Sequence, residues 1–66
     1  MKIQLNGEPR PLSAGCTVAD LLSELQLRRE GVAVAINRRV VPRSQHGERV
    51  LEDGDQVEVI TAVGGG

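Results

Sequence analysis

The sequence predicts an α+β fold in which a single helix covers one face of a mixed β-sheet. Short runs that alternate polar and apolar residues, or that are rich in Val and Ile, lie on both sides of the one stretch with helical periodicity. A chain of 66 residues allows one domain, and a helix of about three turns covers only one face of a sheet. The element order is strand, strand, helix, strand, strand, strand, so we expect the first and last strands to pair in parallel at the centre.

The first two strands are predicted to form a hairpin. Residues 2–5 alternate polar and apolar side chains, which is typical of a half-buried strand. The Asn6-Gly7 pair that follows favours a tight turn because both residues tolerate positive φ. Residues 8–12 are the returning strand. Pro9 and Pro11 have no N–H to donate to a neighbouring strand, so this strand is predicted at an edge of the sheet.

The helix is predicted over residues 18–28. Thr17 is a suitable N-cap, and Asp20 lies three residues later, where a capping box needs its second partner. The apolar residues recur at i, i+3, i+4 and i+7 and therefore form one stripe. Gly31 is a suitable stop beyond the last turn. The apolar stripe comprises Val18, Leu21, Leu22 and Leu25.

Residues after the helix are predicted to form a second hairpin. Residues 32–36 place their larger side chains on one face and their alanines on the other. Asn37-Arg38 is predicted as a turn, and residues 39–41 as the returning strand, which Pro42 ends. Residues 43–49 are polar and predict a loop with a short helical turn.

The last strand is predicted over residues 56–63, after a turn at residues 52–55 in which Gly54 is free to take positive φ. Its side chains alternate, so Val57 and Val59 point towards the helix while Ile60 points away. The predicted core consists of Ile3, Leu5, Val18, Leu21, Leu22, Leu25, Val34, Ile36, Leu51, Val57 and Val59.

The sheet face that the helix does not cover is predicted to be small-sided and apolar, with Ala33, Ala35, Ile60 and Ala62 on it. Apolar patches that face solvent often mark docking surfaces. We therefore expect these residues, together with Val63, to bind a partner protein.

Composition excludes several classes of function. The net charge is −1, whereas nucleic-acid binding requires a basic excess, and there are no aromatic residues on which bases could stack. No apolar run approaches the roughly 20 residues of a membrane span. Cys16 is the single cysteine, so no internal disulfide and no paired-cysteine metal site can form. These features predict a soluble cytoplasmic protein with no bound cofactor and no metal.

No side chain is placed by the sequence as a nucleophile or base. His46 lies in a polar loop and is predicted to be a solvated surface residue. Cys16 lies at the start of the helix, where a thiol pKa can be lowered, but no base accompanies it; it is interpreted as a small, tolerated loop residue. The acidic residues near the last strand lack calcium-loop spacing and predict a solvated rim able to steer a basic partner. They are Glu48, Glu52, Asp53, Asp55 and Glu58.

The stretch from Val63 to Gly66 is interpreted as a flexible tail that follows a domain of residues 1–62. Gly64, Gly65 and Gly66 have no side chains, so they suit neither a helix nor a core. Extended, the four residues reach about 13 Å at about 3.3 Å each and would fit a narrow channel of another protein. The group delivered there would be the main-chain carboxylate of Gly66, which an adenylate can activate. A frayed end without function is the alternative reading.

The chain as a whole resembles the ThiS family, the sulfur-carrier proteins of thiamine biosynthesis. The resemblance rests on Ala-Ile-Asn at 35–37, Val-Val-Pro-Arg at 40–43, Leu-Glu-Asp-Gly-Asp-Gln-Val at 51–57 and the final Gly65-Gly66. Gly64 stands where some members carry another small residue. The resemblance implies the ubiquitin-like β-grasp fold.

The resemblance also implies a reaction and its partners. An E1-like adenylyltransferase of the ThiF type would use ATP to adenylate Gly66. The adenylate would become a thiocarboxylate, with sulfur from cysteine through a desulfurase persulfide, and thiazole synthase of the ThiG type would take that sulfur. The chain itself would be a carrier and not an enzyme.

Two alternatives remain open from the sequence. One is the small subunit of molybdopterin synthase, which uses the same carrier chemistry; those chains are usually longer and differ in the approach to the tail, here residues 60–63. The other is a non-covalent β-grasp interaction module, such as an RNA-binding domain, against which the absence of a basic face speaks.

Overall fold

The structure is a computed structural model, and it describes residues 1–28 and 30–61. The predictions made for residues 62–66 therefore lie outside the described residues. The strands are β1 (Lys2–Leu5), β2 (Glu8–Pro11), β3 (Val32–Ile36), β4 (Arg39–Val41) and β5 (Gln56–Thr61). The helix α1 spans Val18–Glu24, and a 3₁₀ turn spans Arg43–Gln45.

The five strands form one mixed sheet in the order β2-β1-β5-β3-β4. β1 and β5 run parallel, with Leu5 opposite Val57, while all the other pairs are antiparallel. The prediction that the first and last strands meet at the centre of the sheet is confirmed. The fold therefore places the strand that leads to residues 62–66 in the middle of the sheet, with β1 on one side and β3 on the other.

Strand β2 lies at an edge of the sheet, as its prolines predicted. Asn6 and Gly7 form the hairpin turn with φ values of 50° and 86°. Pro9 pairs with Gln4, whose own N–H donates away from β2 to the Asp55 carbonyl at 2.9 Å. Gln4 and Pro9 are therefore a non-hydrogen-bonded pair, in which both N–H positions point away from the partner strand. The missing N–H of Pro9 accordingly faces solvent. The edge consequently offers fewer donors to another strand.

Helix α1 begins as predicted and ends earlier. The Thr17 hydroxyl accepts from the Asp20 N–H at 3.1 Å, and the Asp20 carboxylate accepts from the Thr17 N–H at 3.0 Å. The predicted end at residue 28, with Gly31 as the stop, is wrong. Gln26 takes φ of 59°, and the N–H of Leu27 donates to the Leu22 carbonyl at 2.9 Å. This is a Schellman cap built on a glutamine, a residue that gives no stop signal in a sequence.

The core lies between α1 and the inner face of the sheet. The predicted core residues are buried, except that Leu5 and Leu25 are only partly buried against it. Full burial of one such aliphatic side chain contributes roughly 1.5–3 kcal/mol. The core also contains residues that the periodicity did not assign to it: Leu12, Cys16 and Val41.

The prediction that His46 is a solvated surface residue is wrong, because its side chain is 1% exposed. The 3₁₀ turn carries His46 under the helix start, where its carbonyl accepts from the Ala19 N–H at 2.8 Å. The ring Nε2 lies 3.2 Å from the Val41 carbonyl. A carbonyl oxygen only accepts, so Nε2 carries the proton in this contact. This one ring contact offsets part of the cost of burying a polar ring, whose Nδ1 is buried without a partner among the described residues. The polar loop sequence could not indicate this burial.

Candidate functional site

The described part of the candidate site is strand β5, since it leads directly to residues 62–66. The predicted reacting group on Gly66, the tail residues Gly64 and Gly65, and the predicted contact residues Ala62 and Val63 lie outside the described residues. The remaining predicted contact residues, Ala33, Ala35 and Ile60, are described.

An apolar face lies on the side of the sheet opposite α1. We define it by Ala33, Ala35, Val40 and Ile60. Ala33 pairs with Ile60, and Ala35 pairs with Val40, and cross-strand partners project to the same side. Ile60 is 64% exposed and Val40 77% exposed, so the prediction that Ile60 points away from the core is confirmed. The use of this face in docking stays a prediction.

Val40 belongs to the apolar face although the sequence analysis did not place it there. It is the middle residue of β4, between Arg39, which is opposite Ile36, and the buried Val41. The alternation along β4 and a two-residue turn at Asn37-Arg38 were the signals that could have found it. Its inclusion extends the exposed apolar surface from β5 across β3 to the edge of the sheet.

The acidic rim is confirmed only in part. Glu48, Glu52, Asp53 and Glu58 are exposed, and Glu58 lies opposite Ala35, so a carboxylate borders the apolar face. Asp55, by contrast, is 8% exposed and does not belong to a solvated rim.

Asp55 is buried because both of its carboxylate oxygens have donors. Oδ1 accepts from the Asn37 side-chain amide at 3.2 Å, and Oδ2 accepts from the Glu52 N–H at 2.9 Å. Its neighbour Asp53 accepts from the Lys2 N–H at 2.7 Å. These two carboxylates therefore hold the loop before β5 in place.

Two asparagines hold β5 from opposite sides. On the β1 side, the Asn6 N–H donates to the Val57 carbonyl at 2.9 Å, and its side-chain Oδ1 accepts from the Val59 N–H at 2.9 Å. The Asn6 Nδ2 also donates to the Val59 carbonyl at 3.3 Å. On the β3 side, the Asn37 N–H donates to the Gln56 carbonyl at 2.8 Å, and Asn37 Oδ1 accepts from the Gln56 N–H at 3.0 Å. The strand that leads to residues 62–66 is thus held by Asn37 at its first residue and by Asn6 at Val57 and Val59.

Cys16 lacks the properties of a reactive thiol. It lies in the loop before α1, as predicted, but it is 6% exposed and belongs to the core, so it is not a freely tolerated position. Burial raises the pKa of the Cys16 thiol, and the carboxylates of Asp20 and Glu24 raise it further, whereas Arg10 lowers it. The thiolate is the nucleophilic form, and this environment opposes it.

Other kinds of site receive no support from the described part of the chain. Within residues 1–28 and 30–61, no group of His, Cys, Asp and Glu side chains is arranged to hold a metal ion. No helix in the same ranges is long and apolar enough to cross a membrane.

The strand order, the parallel central pair and the single helix on one face define the β-grasp class of small ubiquitin-like proteins. A sequence model of the ThiS family matches residues 3–66. The chain belongs to the ThiS family.

Individual relatives agree with this membership. The sulfur carrier protein ThiS of Escherichia coli K12 is 39% identical over 66 residues, a match that covers 100% of both chains. A thiazole synthase of Magnetococcus marinus is 48% identical over 66 residues, but the chain spans only 20% of that protein. The crystal structure of the thiamine biosynthesis protein ThiS from Geobacter metallireducens matches with a TM-score of 0.85 at 33% identity and covers 100% of both chains.

Proposed function

We propose that the chain is a sulfur carrier for thiamine biosynthesis and that the main-chain carboxylate of Gly66 is its reacting group. The observation that carries the proposal is the match to the ThiS family over residues 3–66, which includes Gly64, Gly65 and Gly66. The placement of β5 supports it, because the strand that leads to these glycines is hydrogen-bonded on both sides. Residues 1–62 are then the folded carrier and residues 63–66 the delivering tail.

The proposed chemistry begins on an E1-like adenylyltransferase that supplies ATP. A carboxylate oxygen of Gly66 attacks the α-phosphorus of ATP, the bond from that phosphorus to pyrophosphate breaks, and an acyl-adenylate forms. A persulfide sulfur derived from cysteine by a desulfurase then attacks the acyl carbon, and AMP leaves. The product is an acyl disulfide that keeps the sulfur–sulfur bond of the persulfide. A second thiol attacks the donor's sulfur and breaks this bond, so the thiol and the donor become a disulfide and a thiocarboxylate is left on Gly66.

Thiazole synthase is the proposed acceptor of that sulfur. A relative that is itself a thiazole synthase contains a segment 48% identical to this chain, which supports a functional link between carrier and acceptor. The carrier needs no cofactor of its own in this scheme, since ATP is consumed on the adenylyltransferase. The scheme does not require Cys16, since the terminal carboxylate carries the sulfur and the Cys16 side chain is buried.

The apolar face is the proposed docking surface for the adenylyltransferase. Ala33 and Ile60 lie opposite each other next to the end of β5, and Ala62 and Val63 follow in the sequence. Burial of the exposed part of Ile60 against a partner would provide binding free energy close to the tail. Docking there would aim Gly66 at the bound ATP.

The test is incubation of the chain with an E1-like adenylyltransferase, ATP, a cysteine desulfurase and cysteine, followed by intact mass. We expect a mass increase equal to the replacement of one oxygen by sulfur. Deletion of Gly65 and Gly66 should abolish the increase and leave the melting temperature nearly unchanged. An unmodified parent chain would refute the function, and a large loss of stability in the deleted chain would refute the assignment of a separate tail.

The same product can be used to separate the thiamine and molybdopterin pathways. We expect the thiolated chain to support thiazole formation by thiazole synthase in an extract that lacks its own carrier. Rescue of a molybdopterin-deficient extract alone would contradict the proposal.

A further inference from the structure

We propose that Asn6 is a positioning residue for activation of the tail: its side-chain amide fixes β5 at Val59 and so limits the directions in which the tail can leave the sheet. The inference rests on the proposed function and adds to it a residue far from Gly66 in sequence. It comes from an interruption in the pairing of β1 with β5.

The interruption lies on the β1 side of β5. The parallel pairing of β1 with β5 extends only over Gln4–Gln56 and Leu5–Val57. At Asn6 the chain turns away into the hairpin, with φ of 50°, while β5 continues to Thr61. Without a substitute, the N–H and carbonyl of Val59 would face an open gap on this side.

The Asn6 side chain fills that gap. A carboxamide carries an acceptor oxygen and an NH₂ donor on one planar group, so it can accept from the N–H and donate to the carbonyl of a single strand residue. Its Oδ1 accepts from the Val59 N–H at 2.9 Å, and its Nδ2 donates to the Val59 carbonyl at 3.3 Å. Val59 precedes Ile60 of the apolar face, and three residues separate it from Val63. The amide therefore holds the backbone of β5 two residues before the strand ends at Thr61.

Loss of this amide should slow the adenylation of Gly66 more than it weakens docking to the adenylyltransferase. The pairing of Ala33 with Ile60 is on the β3 side of β5 and does not depend on Asn6, so the apolar face should still form. The end of β5 would gain freedom, and the carboxylate of Gly66 would reach the ATP less often in a reactive geometry. A misplacement of about 1 Å can reduce a rate by about a hundredfold.

The experiment compares Asn6→Gly with Asn37→Gly. Both residues have positive φ, which glycine accepts, and both bind β5 through a side-chain amide, but Asn37 holds Gln56 at the opposite end of the strand. We expect Asn6→Gly to lower the kcat for adenylation of the carrier by about tenfold with a nearly unchanged KM. Asn37→Gly should lose stability and keep the parental kcat. Hydrogen exchange of the Val59 amide should accelerate in Asn6→Gly.

Asn6→Asp and Asn37→Asp repeat the comparison if the glycine variants are unfolded. Aspartate keeps the acceptor but replaces the donor to the Val59 carbonyl with a second oxygen, so kcat should again fall only at position 6. A parental kcat in a folded Asn6 variant, or an equal fall in the matching Asn37 variant, would overturn the proposal. If the parent chain itself is not adenylated, the proposed function fails instead, so the two failures are distinct.

Discussion

Replacement of Ile60 by alanine should weaken binding to the adenylyltransferase without unfolding the carrier. The Ile60 side chain is 64% exposed in the free chain. Full burial of an isoleucine side chain contributes roughly 1.5–3 kcal/mol, so burial of the part that is still exposed contributes about 1–2 kcal/mol. This free energy corresponds to an affinity lower by roughly fivefold to thirtyfold.

The assay is a calorimetric titration of each folded variant against the adenylyltransferase. Ile60→Gln keeps the approximate size of the side chain and removes its apolar character, so its affinity should fall as in Ile60→Ala. Val50→Ala is the matched control, because Val50 is 45% exposed but lies outside the five strands. It should bind with parental affinity. The stability of the Ile60 variants should change by no more than about 1 kcal/mol, the span of β-propensity.

Two results would refute the reasoning. Parental affinity in both Ile60 variants would exclude the apolar face as the docking surface. Severe unfolding of Ile60→Ala would mean that Ile60 is a core residue, which contradicts its pairing opposite Ala33 on the exposed side of the sheet.

Four further predictions concern three side chains away from the apolar face. Cys16→Ser should still acquire sulfur on intact mass, since the buried thiol is not the carrier group. Burial raises the pKa of Cys16, so the folded thiol stays protonated at pH values where the unfolded thiol ionises. The free energy of unfolding should therefore fall as the pH rises above 9.0, the ordinary pKa of the thiol. Cys16→Ser should remove this fall in urea titrations at a series of pH values. Asp55→Ala leaves the Glu52 N–H and the Asn37 amide without their acceptor and should lower the free energy of unfolding by about 1–3 kcal/mol in urea. Gln26→Gly should instead raise it by about 0.5–1 kcal/mol, because glycine relieves the left-handed strain of about 1–2 kcal/mol and loses part of that gain through its freer unfolded chain; Gln26→Ala is the control that should give no gain.

Local chemistry accounts for the parts of the fold that the sequence predicted. Asn6-Gly7 marked a turn because few other pairs tolerate positive φ at both positions, and Pro9 marked an edge strand because it has no donor. Alternation along β5 placed Ile60 on the exposed face. Each of these signals depends only on residues that are close together in the sequence.

Partners that are distant in sequence account for what could not be predicted. His46 lies under the start of α1, where its carbonyl accepts from the Ala19 N–H, and Asp55 is buried because Asn37 reaches it from another turn. The contact of the Asn6 side chain with Val59 joins positions 53 residues apart. The sequence indicates that Asn6 is a turn residue, but the hydrogen bonds of its side chain with Val59 depend on the register between β1 and β5.

The pairing of β1 with β5 also has a consequence for the order of events during synthesis. The two central strands are the first and the last to be made, so the middle of the sheet cannot close until β5 has left the ribosome. A chain that stops soon after β5 would therefore complete its fold only around the time of its release. In a longer protein that continues past the same segment, the carrier could finish folding while its remaining residues are still being translated.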